Sequence, residues 1–178
     1  MEKKEFTISV FTEDQIGLLN RVSIIFTRRH INIESITASE SEVKGVHRYT
    51  IVVNDTEDLV IKVVAQLDKQ VEIVKSFYHE TSEIVYQEIA LYKLATSLIA
   101  AGGEAEKIVR KHNARFLSFD TEFTVIEKTG HKEETQRLFD ELEPYGILEF
   151  VRSGRVAITK PMKEFAAYLA EIEIASAN

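Results

Sequence analysis

The apolar residues of this chain change their spacing several times, and the same order of changes occurs twice. Phe6, Ile8 and Val10 alternate with Thr7 and Ser9, which is the period of a half-buried β-strand. From residue 15 to about residue 29 the apolar residues recur every three or four positions, so one stripe of a helix is expected to pack on that strand's sheet. The two patterns together favour a fold in which helices cover a sheet.

The first 80 residues contain the elements of one compact domain. The segments "INIESITASE" and "HRYTIVVN" read as two strands joined by a turn at Gly45. A second helix is predicted in "DTEDLVIKVVAQLDKQ", which carries Glu57 and Asp58 in its first turn, and "VEIVKSFY" supplies a fourth strand. The order βαββαβ predicts a ferredoxin-like domain over residues 1–80.

After a short polar link near residues 81–83 the same order recurs. Strands are predicted in "IALYKLA", "ARFLSFD" and "EFTVIEK", helices at residues 103–112 and 131–142, and a closing strand region in "ILEFV" and "RVAIT". The two halves match in the order of elements and not in sequence. We therefore predict an α+β protein with two tandem ferredoxin-like βαββαβ domains, at residues 1–80 and 84–160.

Residues 161–178 are predicted to form a helical tail. It begins at Pro161, a residue favoured at helix starts, and places Phe165, Leu169 and Ile172 on one face. We interpret the tail as a short helix that docks on its own domain, with a partner-binding helix as the alternative.

Composition argues against several classes of function. The net charge of -7 disfavours a general nucleic-acid-binding protein, because phosphate contacts need a basic face. The chain has no cysteine, which excludes disulfides and thiol nucleophiles, and its histidines are scattered with no pair at metal-ligand spacing, so no metal is expected. The charged start "MEKKEFTISV" and the lack of an apolar run of about 18 residues predict a cytoplasmic protein that does not enter a membrane.

The clearest candidate for a binding site is the corner "EDQIGLL" between the first strand and the first helix. A helix start has amide N–H groups without partners and the positive end of the helix dipole, so it attracts a carboxylate. Gly17 would let a ligand approach those amides, Asp14 could pair with an ammonium, and Ile16, Leu18 and Leu19 suit an aliphatic side chain. In the plainer interpretation Asp14 caps the helix and Gly17 permits close packing, and spacing alone favours it.

The pattern D-x-x-G-x-L at this corner, followed by "RRHINIESI", resembles an ACT domain, the amino-acid-sensing module of metabolic regulation. More narrowly, "GLLNRVSIIFTRRHINIESI" and the late "EFVRSGRVAITK" are together similar to the small regulatory subunit of acetolactate synthase, also called acetohydroxyacid synthase. The resemblance covers nearly the whole chain to about Lys160. Family members usually carry Asn at the position of Asp14, and often a small residue at the position of His30.

The resemblance implies a protein without catalytic residues of its own. It would activate a large catalytic subunit, which holds thiamine diphosphate, Mg²⁺ and FAD, and would transmit feedback inhibition by a branched-chain amino acid, usually valine. The reaction is the first committed step toward valine, leucine and isoleucine. The sequence does not rank these three effectors, because one methylene in an apolar pocket is worth only about 1 to 3 kcal/mol.

The resemblance also implies an allosteric amino-acid site. Its residues are Asp14, Gln15, Ile16, Gly17, Leu18, Leu19, Asn32 and Ile33. Asn32 lies at the opposite end of the first helix from Gly17. In a ferredoxin-like sheet of order 4-1-3-2, however, strand two is an exposed edge, and antiparallel pairing of two copies there would bring Asn32 of one copy near the corner of the other. We therefore expect a homodimer through the edge strands of the ACT domains.

Two basic clusters have plain interpretations. Residues 28–30, "RRH", are interpreted as a solvated helix end, with docking to the catalytic subunit as the alternative. In "VRSGRV", Arg152 and Arg155 are interpreted as exposed residues of a tight turn, with anchoring of an acidic partner as the alternative. Ser153 has no evident histidine and acid partners and is not expected to act as a nucleophile.

Other functions suit the sequence less well than this one. A stand-alone ACT-type amino-acid sensor with another client is the main alternative. A small enzyme on this fold would need a polar catalytic cluster that the sequence does not offer, and a nucleic-acid-binding ferredoxin-like domain would need aromatic residues over a basic surface. The second domain lacks an acid before its glycines in "AAGGEAEK" and is interpreted as a coupling or docking module.

Overall fold

The structure of the protein, a computed structural model, describes residues 2–99 and 103–160. The chain divides into two compact units. The first contains the residues up to Tyr86 together with residues 155–160, and the second is Gln87–Gly154. The tail predicted for residues 161–178 lies outside the described residues.

The first unit has the predicted βαββαβ order. Its elements are β1 (Lys4–Glu13), α1 (Leu18–Thr27), β2 (Ile33–Glu40), β3 (Val46–Asp55), α2 (Glu57–Leu67) and β4 (Ile73–Glu80). The sheet order is β2-β3-β1-β4, and all neighbouring strands are antiparallel. The ferredoxin-like arrangement of this half is confirmed, and β2 lies at an edge of the sheet.

The central strand β1 carries the core of the first unit. Phe6, Ile8 and Val10 have no exposed surface and pack with apolar residues of the helices, among them Phe26 of α1 and Val63 of α2. Full burial of such a side chain stabilises a fold by about 1.5 to 3 kcal/mol. The prediction from the alternating sequence, that these three residues share one buried face of β1, is therefore confirmed.

The opposite face of β1 differs from a half-buried strand, because its polar residues are also buried. Thr7 is 1% exposed and Ser9 is 6% exposed. Arg155 Nη1 donates a hydrogen bond to Thr7 Oγ1 (2.9 Å), and Arg48 Nη2 donates one to Ser9 Oγ (3.2 Å). Polar residues on this face therefore bind the buried Arg155 and the half-buried Arg48, so their polarity does not mark a solvent face.

The second unit repeats the order of elements. They are β5 (Ile84–Ala95), which starts just before the unit, then α3 (Glu104–Lys111), β6 (Arg115–Phe119), β7 (Phe123–Gly130), α4 (Lys132–Leu142) and β8 (Glu149–Arg152). The sheet order is β6-β7-β5-β8, the counterpart of the order in the first unit. Tyr92, Leu94 and Ile126 pack with Val109 of α3 and Leu138 of α4 to form a separate core. The α+β fold with two ferredoxin-like units is confirmed.

The closing strand region of the second half differs from the predicted division at residues 84–160. "ILEFV" supplies β8, whereas "RVAIT" forms a separate strand, β9 (Val156–Thr159), which pairs with β5 and groups with the first unit. The backbone N–H of Lys160 donates to the carbonyl oxygen of Glu83 (3.0 Å), and Arg48 Nη2 donates to the carbonyl oxygen of Ala157 (2.6 Å). Alternation in "RVAIT" identifies a strand but cannot name its partners, because they are distant in sequence.

Tyr92 is the largest fully buried side chain of the second unit. Its hydroxyl donates a hydrogen bond to the carbonyl oxygen of Thr135 (2.6 Å). Burial raises the pKa of Tyr92 to about 12, because the phenolate would lose its hydration. The neutral phenol is therefore the form that the folded unit holds.

This shift predicts a pH dependence of stability. A tyrosine in an unfolded chain ionises near pH 10, so between about pH 10 and 12 the unfolded state releases a proton that the folded state keeps, and the free energy of unfolding falls. We expect Tyr92→Phe to remove this fall, and to lower the free energy of unfolding at pH 7 by about 1 kcal/mol through the lost hydrogen bond. Urea unfolding from pH 7 to 11.5 measures both, with the half-buried Tyr145→Phe as control. Equal pH slopes in all three proteins would contradict the assignment.

Candidate functional site

The corner between β1 and α1, residues 14–17, ends in a glycine with left-handed backbone geometry. Gly17 has φ 84° and ψ 0° and occupies the N-cap position of α1. A Cβ at Gly17 would have nothing within 4 Å, so space does not require glycine here. The positive φ is what requires glycine, because L-residues with a side chain rarely adopt it.

The first amides of α1 are available to a ligand. The N–H of Leu18 reaches the carbonyl oxygen of Gln15 (3.4 Å), and the N–H of Arg21 reaches that of Gly17 (3.3 Å). Within the described part of the chain, the N–H groups of Leu19 and Asn20 have no acceptor, and no side chain caps the helix. Two adjacent donors at the positive end of a helix dipole form a site suited to a carboxylate.

Asp14 lies beside this helix start and does not cap it. Its backbone N–H donates to the carbonyl oxygen of Gly45 (3.1 Å), and its side chain is 64% exposed. His47 Nε2 lies 3.5 Å from Asp14 Oδ1. The plainer interpretation of the sequence, with Asp14 as cap and Gly17 as a packing glycine, is therefore wrong on both counts.

His47 is a neighbour of the site that was not predicted from the sequence. It faces Asp14 because β1 and β3 pair in a register that sets His47 opposite Thr12, two residues before Asp14. Once the hairpin turn at Gly45 is recognised, that register could have been counted from the turn. His47 therefore belongs to the immediate surroundings of the Asp14 carboxylate.

The apolar residues at the corner divide into one core residue and two exposed ones. Leu18 is buried and belongs to the packed side of α1, whereas Ile16 is fully exposed and Leu19 is 45% exposed. Gln15 turns back, and its Nε2 donates to Glu13 Oε2 (2.6 Å). Ile16 and Leu19 are therefore the side chains free to contact an aliphatic ligand, and Leu18 is not.

Asn32 and Ile33 lie at the other end of α1, which has ten residues and is therefore about 15 Å long. Asn32 Nδ2 donates to Glu34 Oε1 (2.8 Å), and Ile33 packs against the core of the first unit. One copy of the chain does not bring these two residues to the corner. This separation was expected from the sequence, and β2, which carries Ile33, is the edge strand that the expected pairing requires.

The nearest cation on the helix is already paired. Arg21, in the first turn of α1, forms an ion pair with Glu72, whose pKa is lowered by its own backbone amide and by Arg21. The N–H of Glu13 donates to the carbonyl oxygen of Glu72 (3.0 Å), so the end of β1 is held by the segment before β4. Backbone amides, and not a free guanidinium, are thus the donors at the corner.

Comparison with known proteins bears on both units. A family model described as "AHAS small subunit-like ACT domain" matches residues 8–75, and one described as "Small subunit of acetolactate synthase" matches residues 87–161. The acetolactate synthase small subunit of Mycolicibacterium smegmatis is 36% identical over 154 residues, which cover 86% of this chain and 90% of that protein. The chain belongs to the acetolactate synthase small-subunit family.

Two further family members support this assignment. The acetolactate synthase small subunit of Bacillus subtilis is 33% identical over 93% of this chain and 95% of its own length. The crystal structure of the small subunit from Thermotoga maritima superposes with a TM-score of 0.80 at 27% identity, over 89% of this chain and 98% of that one. The small-subunit resemblance seen in the sequence is confirmed, and so is the ACT domain within it.

The "VRSGRV" segment of this chain differs from the arrangement expected from its sequence. Arg155 is 2% exposed, and the side chain of Arg152 is largely buried. Arg152 Nη2 donates to Gln136 Oε1 (3.0 Å), and the N–H of Ile89 donates to Ser153 Oγ (2.9 Å). The prediction of two exposed arginines in a tight turn is wrong, because both guanidinium groups fold inward onto polar partners.

The basic cluster at residues 28–30 does lie at the end of α1, with Arg28 at the C-cap. Arg29 Nε donates to Gln66 Oε1 (2.9 Å), which links the ends of the two helices. His30 adopts φ 57°, the left-handed geometry that glycine or asparagine usually supplies after a helix. Histidine at this position is therefore held in a backbone geometry that it rarely adopts.

Other features of the described residues add no second candidate site. Among them, no group of three or more His, Asp or Glu side chains is placed to hold a metal ion. No described helix is both long and apolar enough to cross a membrane. An open cavity of about 630 Å³ lies against α2 and β4, lined by Ser76, Tyr78 and His79 among others, and it contains none of the predicted site residues.

The geometry of Gly17 predicts a ranked set of stabilities. We expect Gly17→Ala to lower the free energy of unfolding of the first unit by about 1 kcal/mol, because alanine must adopt a positive φ. Gly17→Asn should cost less, because asparagine tolerates the left-handed region. Chemical denaturation measures both, with Gly146→Ala and Gly146→Asn, at the same φ of 84° and in equally open space, as the matched pair in the second unit. Equal stability of Gly17→Ala and wild type would contradict the backbone argument.

Proposed function

We propose that this chain activates the catalytic subunit of acetolactate synthase and makes its activity subject to inhibition by valine. The observation that carries the proposal is the corner at residues 14–17, where the unpaired amides of Leu19 and Asn20 lie beside the exposed carboxylate of Asp14. Donors for a carboxylate and an acceptor for an ammonium within one turn suit an amino-acid zwitterion. In this proposal the exposed Ile16 and Leu19 contact the aliphatic side chain of the effector.

We further propose that the site is shared between two copies of the chain. β2 is an edge strand, with Ile36 partly exposed on it, and its backbone is free to pair with a second β2. Antiparallel pairing about a two-fold axis would bring Asn32 and Ile33 of one copy to the 14–17 corner of the other. The eight residues implied by the family resemblance would then meet in one place, and effector binding would be linked to the dimer contact.

Asp14 requires a specific role in this proposal. Its carboxylate would attract the ammonium of valine and repel a carboxylate placed on the wrong side, so it fixes the direction of the bound zwitterion. His47 Nε2 lies 3.5 Å from Asp14 Oδ1, so the imidazole is next to the oxygen that would receive the ammonium. Effector orientation in this chain thus depends on a charge that most family members, with Asn at this position, do not have.

The chemistry of the proposed complex belongs to the partner. Thiamine diphosphate, Mg²⁺ and FAD are assigned to the large catalytic subunit, and this chain contributes no catalytic residue. The activity is assigned to the cytoplasm. A coupling free energy of about 1 to 3 kcal/mol between effector site and partner, roughly 5- to 150-fold, is enough for regulation.

The deciding experiment is acetolactate formation by the matching catalytic subunit, alone and with this chain, across a titration of valine. We expect stimulation that valine reverses. Gly17→Asp should keep the stimulation and lose most of the valine response, because it adds a carboxylate beside the amides that receive the effector carboxylate. Gly146→Asp, with the same φ of 84°, is the matched control and should respond like wild type.

Each alternative has its own outcome. Stimulation without a valine response would keep the activating role and remove valine as effector, and parallel titrations with leucine and isoleucine would then identify the ligand. Calorimetric binding of an amino acid without any stimulation would favour a stand-alone ACT-type sensor. A wild-type chain that neither stimulates nor binds would remove the proposal.

A further inference from the structure

The second unit is inserted into the first. The chain leaves the first unit at Tyr86, forms the second unit as Gln87–Gly154, and returns to the first unit at Arg155. A unit attached by a single linker can turn independently of its neighbour, whereas an inserted unit has two attachment points. The residues at those two points decide how firmly the insertion is tied to the rest of the chain.

The two attachment points contact each other through Arg155. Its guanidinium carbon lies 3.9 Å from the centroid of the Tyr86 ring, which is a close cation–π contact. Its Nη2 donates to Glu5 Oε1 (2.7 Å) and its Nη1 donates to Thr7 Oγ1 (2.9 Å), both on β1. We name these four residues, Glu5, Thr7, Tyr86 and Arg155, the Arg155 cluster. It ties both ends of the insertion to one strand.

A second arginine ties the returning segment to the same sheet. Arg48 on β3 donates from Nη2 to the carbonyl oxygen of Ala157 (2.6 Å) and to Ser9 Oγ (3.2 Å). Arg48 is the residue after His47, which lies 3.5 Å from Asp14. Contacts therefore connect the 14–17 corner to His47 on β3, and the next residue, Arg48, to Ala157 in the returning segment.

The strand that holds Arg155 is also the strand that ends at the proposed effector site. β1 carries Glu5 and Thr7 near its start and runs to Glu13, one residue before the corner. A buried guanidinium has few acceptable arrangements, because displacement from its partners leaves a charge without water or an acceptor. A shift of β1 that accompanies effector binding would therefore move Arg155, and with it both ends of the inserted unit.

We propose that Arg155 is a positioning residue that couples effector occupancy at the 14–17 corner to the second unit. The proposal rests on the proposed function for the identity of the effector, and on the geometry of the Arg155 cluster for the coupling. Arg155 touches neither the effector nor the catalytic subunit in this role. It acts by holding the two ends of the inserted unit to β1.

The first test separates effector binding from its consequence. Arg155→Met and Arg155→Lys are compared with wild type in complex with the catalytic subunit, with Arg110→Met, an exposed arginine on α3, as control. We expect the Kd for valine, measured by calorimetry on the full chain, to change by less than about 3-fold, while the inhibition factor at saturating valine falls by about 5-fold or more. Arg155→Lys should be intermediate, because it keeps the charge and loses the planar fork. Unchanged inhibition in Arg155→Met would overturn the proposal.

The second test needs neither valine nor the catalytic subunit. Val63→Ala opens a cavity in the core of the first unit and lowers the hydrogen-exchange protection of its amides. When Val63→Ala is made in the wild-type chain, we expect the slowest-exchanging amides of Gln87–Gly154 to lose protection as well. When Val63→Ala is combined with Arg155→Met, we expect these amides to keep their protection. Equal behaviour of the second unit in the two backgrounds would overturn the coupling.

The two tests fail for different reasons. A wild-type complex that ignores valine removes the proposed function, and the exchange comparison alone then decides the coupling. If Arg155→Met does not fold, Glu5→Gln and Tyr86→Leu weaken the same cluster one partner at a time and should each reduce valine inhibition in part. Full inhibition in both of these variants would also contradict the role of the cluster.

Discussion

The first unit depends on the position of one strand, β1. It is hydrogen-bonded on both sides, to β3 and to β4, and it is buried on both faces. Phe6, Ile8 and Val10 hold one face by apolar packing, and the hydroxyls of Thr7 and Ser9 hold the other by hydrogen bonds to arginines. A strand fixed in this way sets the place and direction of the segment that begins after its last residue. In this chain that segment is the 14–17 corner.

Much of the fold could be predicted because it depends on local patterns. Alternation identified β1, the three- and four-residue spacing identified α1 and α2, and the order of elements indicated the sheet order with β2 at its edge. The polar face of β1 could not be predicted in the same way. Its burial depends on Arg155, which lies 148 residues from Thr7 in sequence, and no local pattern reports a partner at that distance. For the same reason, the grouping of β9 with the first unit could not be predicted from its local sequence pattern.

The candidate site was predictable to a similar degree. Gly17 was recognisable because a glycine at a strand-to-helix corner indicates a special backbone geometry, and φ 84° confirms that geometry. The exposure of Ile16 and the burial of Leu18 were not separable from sequence, since both are aliphatic residues of one turn. His47 was missed because it comes from another strand, and only the β1–β3 register places it beside Asp14.

The contact between Tyr86 and Arg155 also bears on how such a protein can be assembled from parts. A segment whose two ends lie side by side can be added to a domain or exchanged for another with little cost in loop closure, because the host chain is already nearly continuous across the gap. The Tyr86 ring and the Arg155 guanidinium are the groups in contact where the inserted segment begins and ends. Removal of residues 87–154 would therefore leave a first unit whose two cut ends need only a short linker to join them.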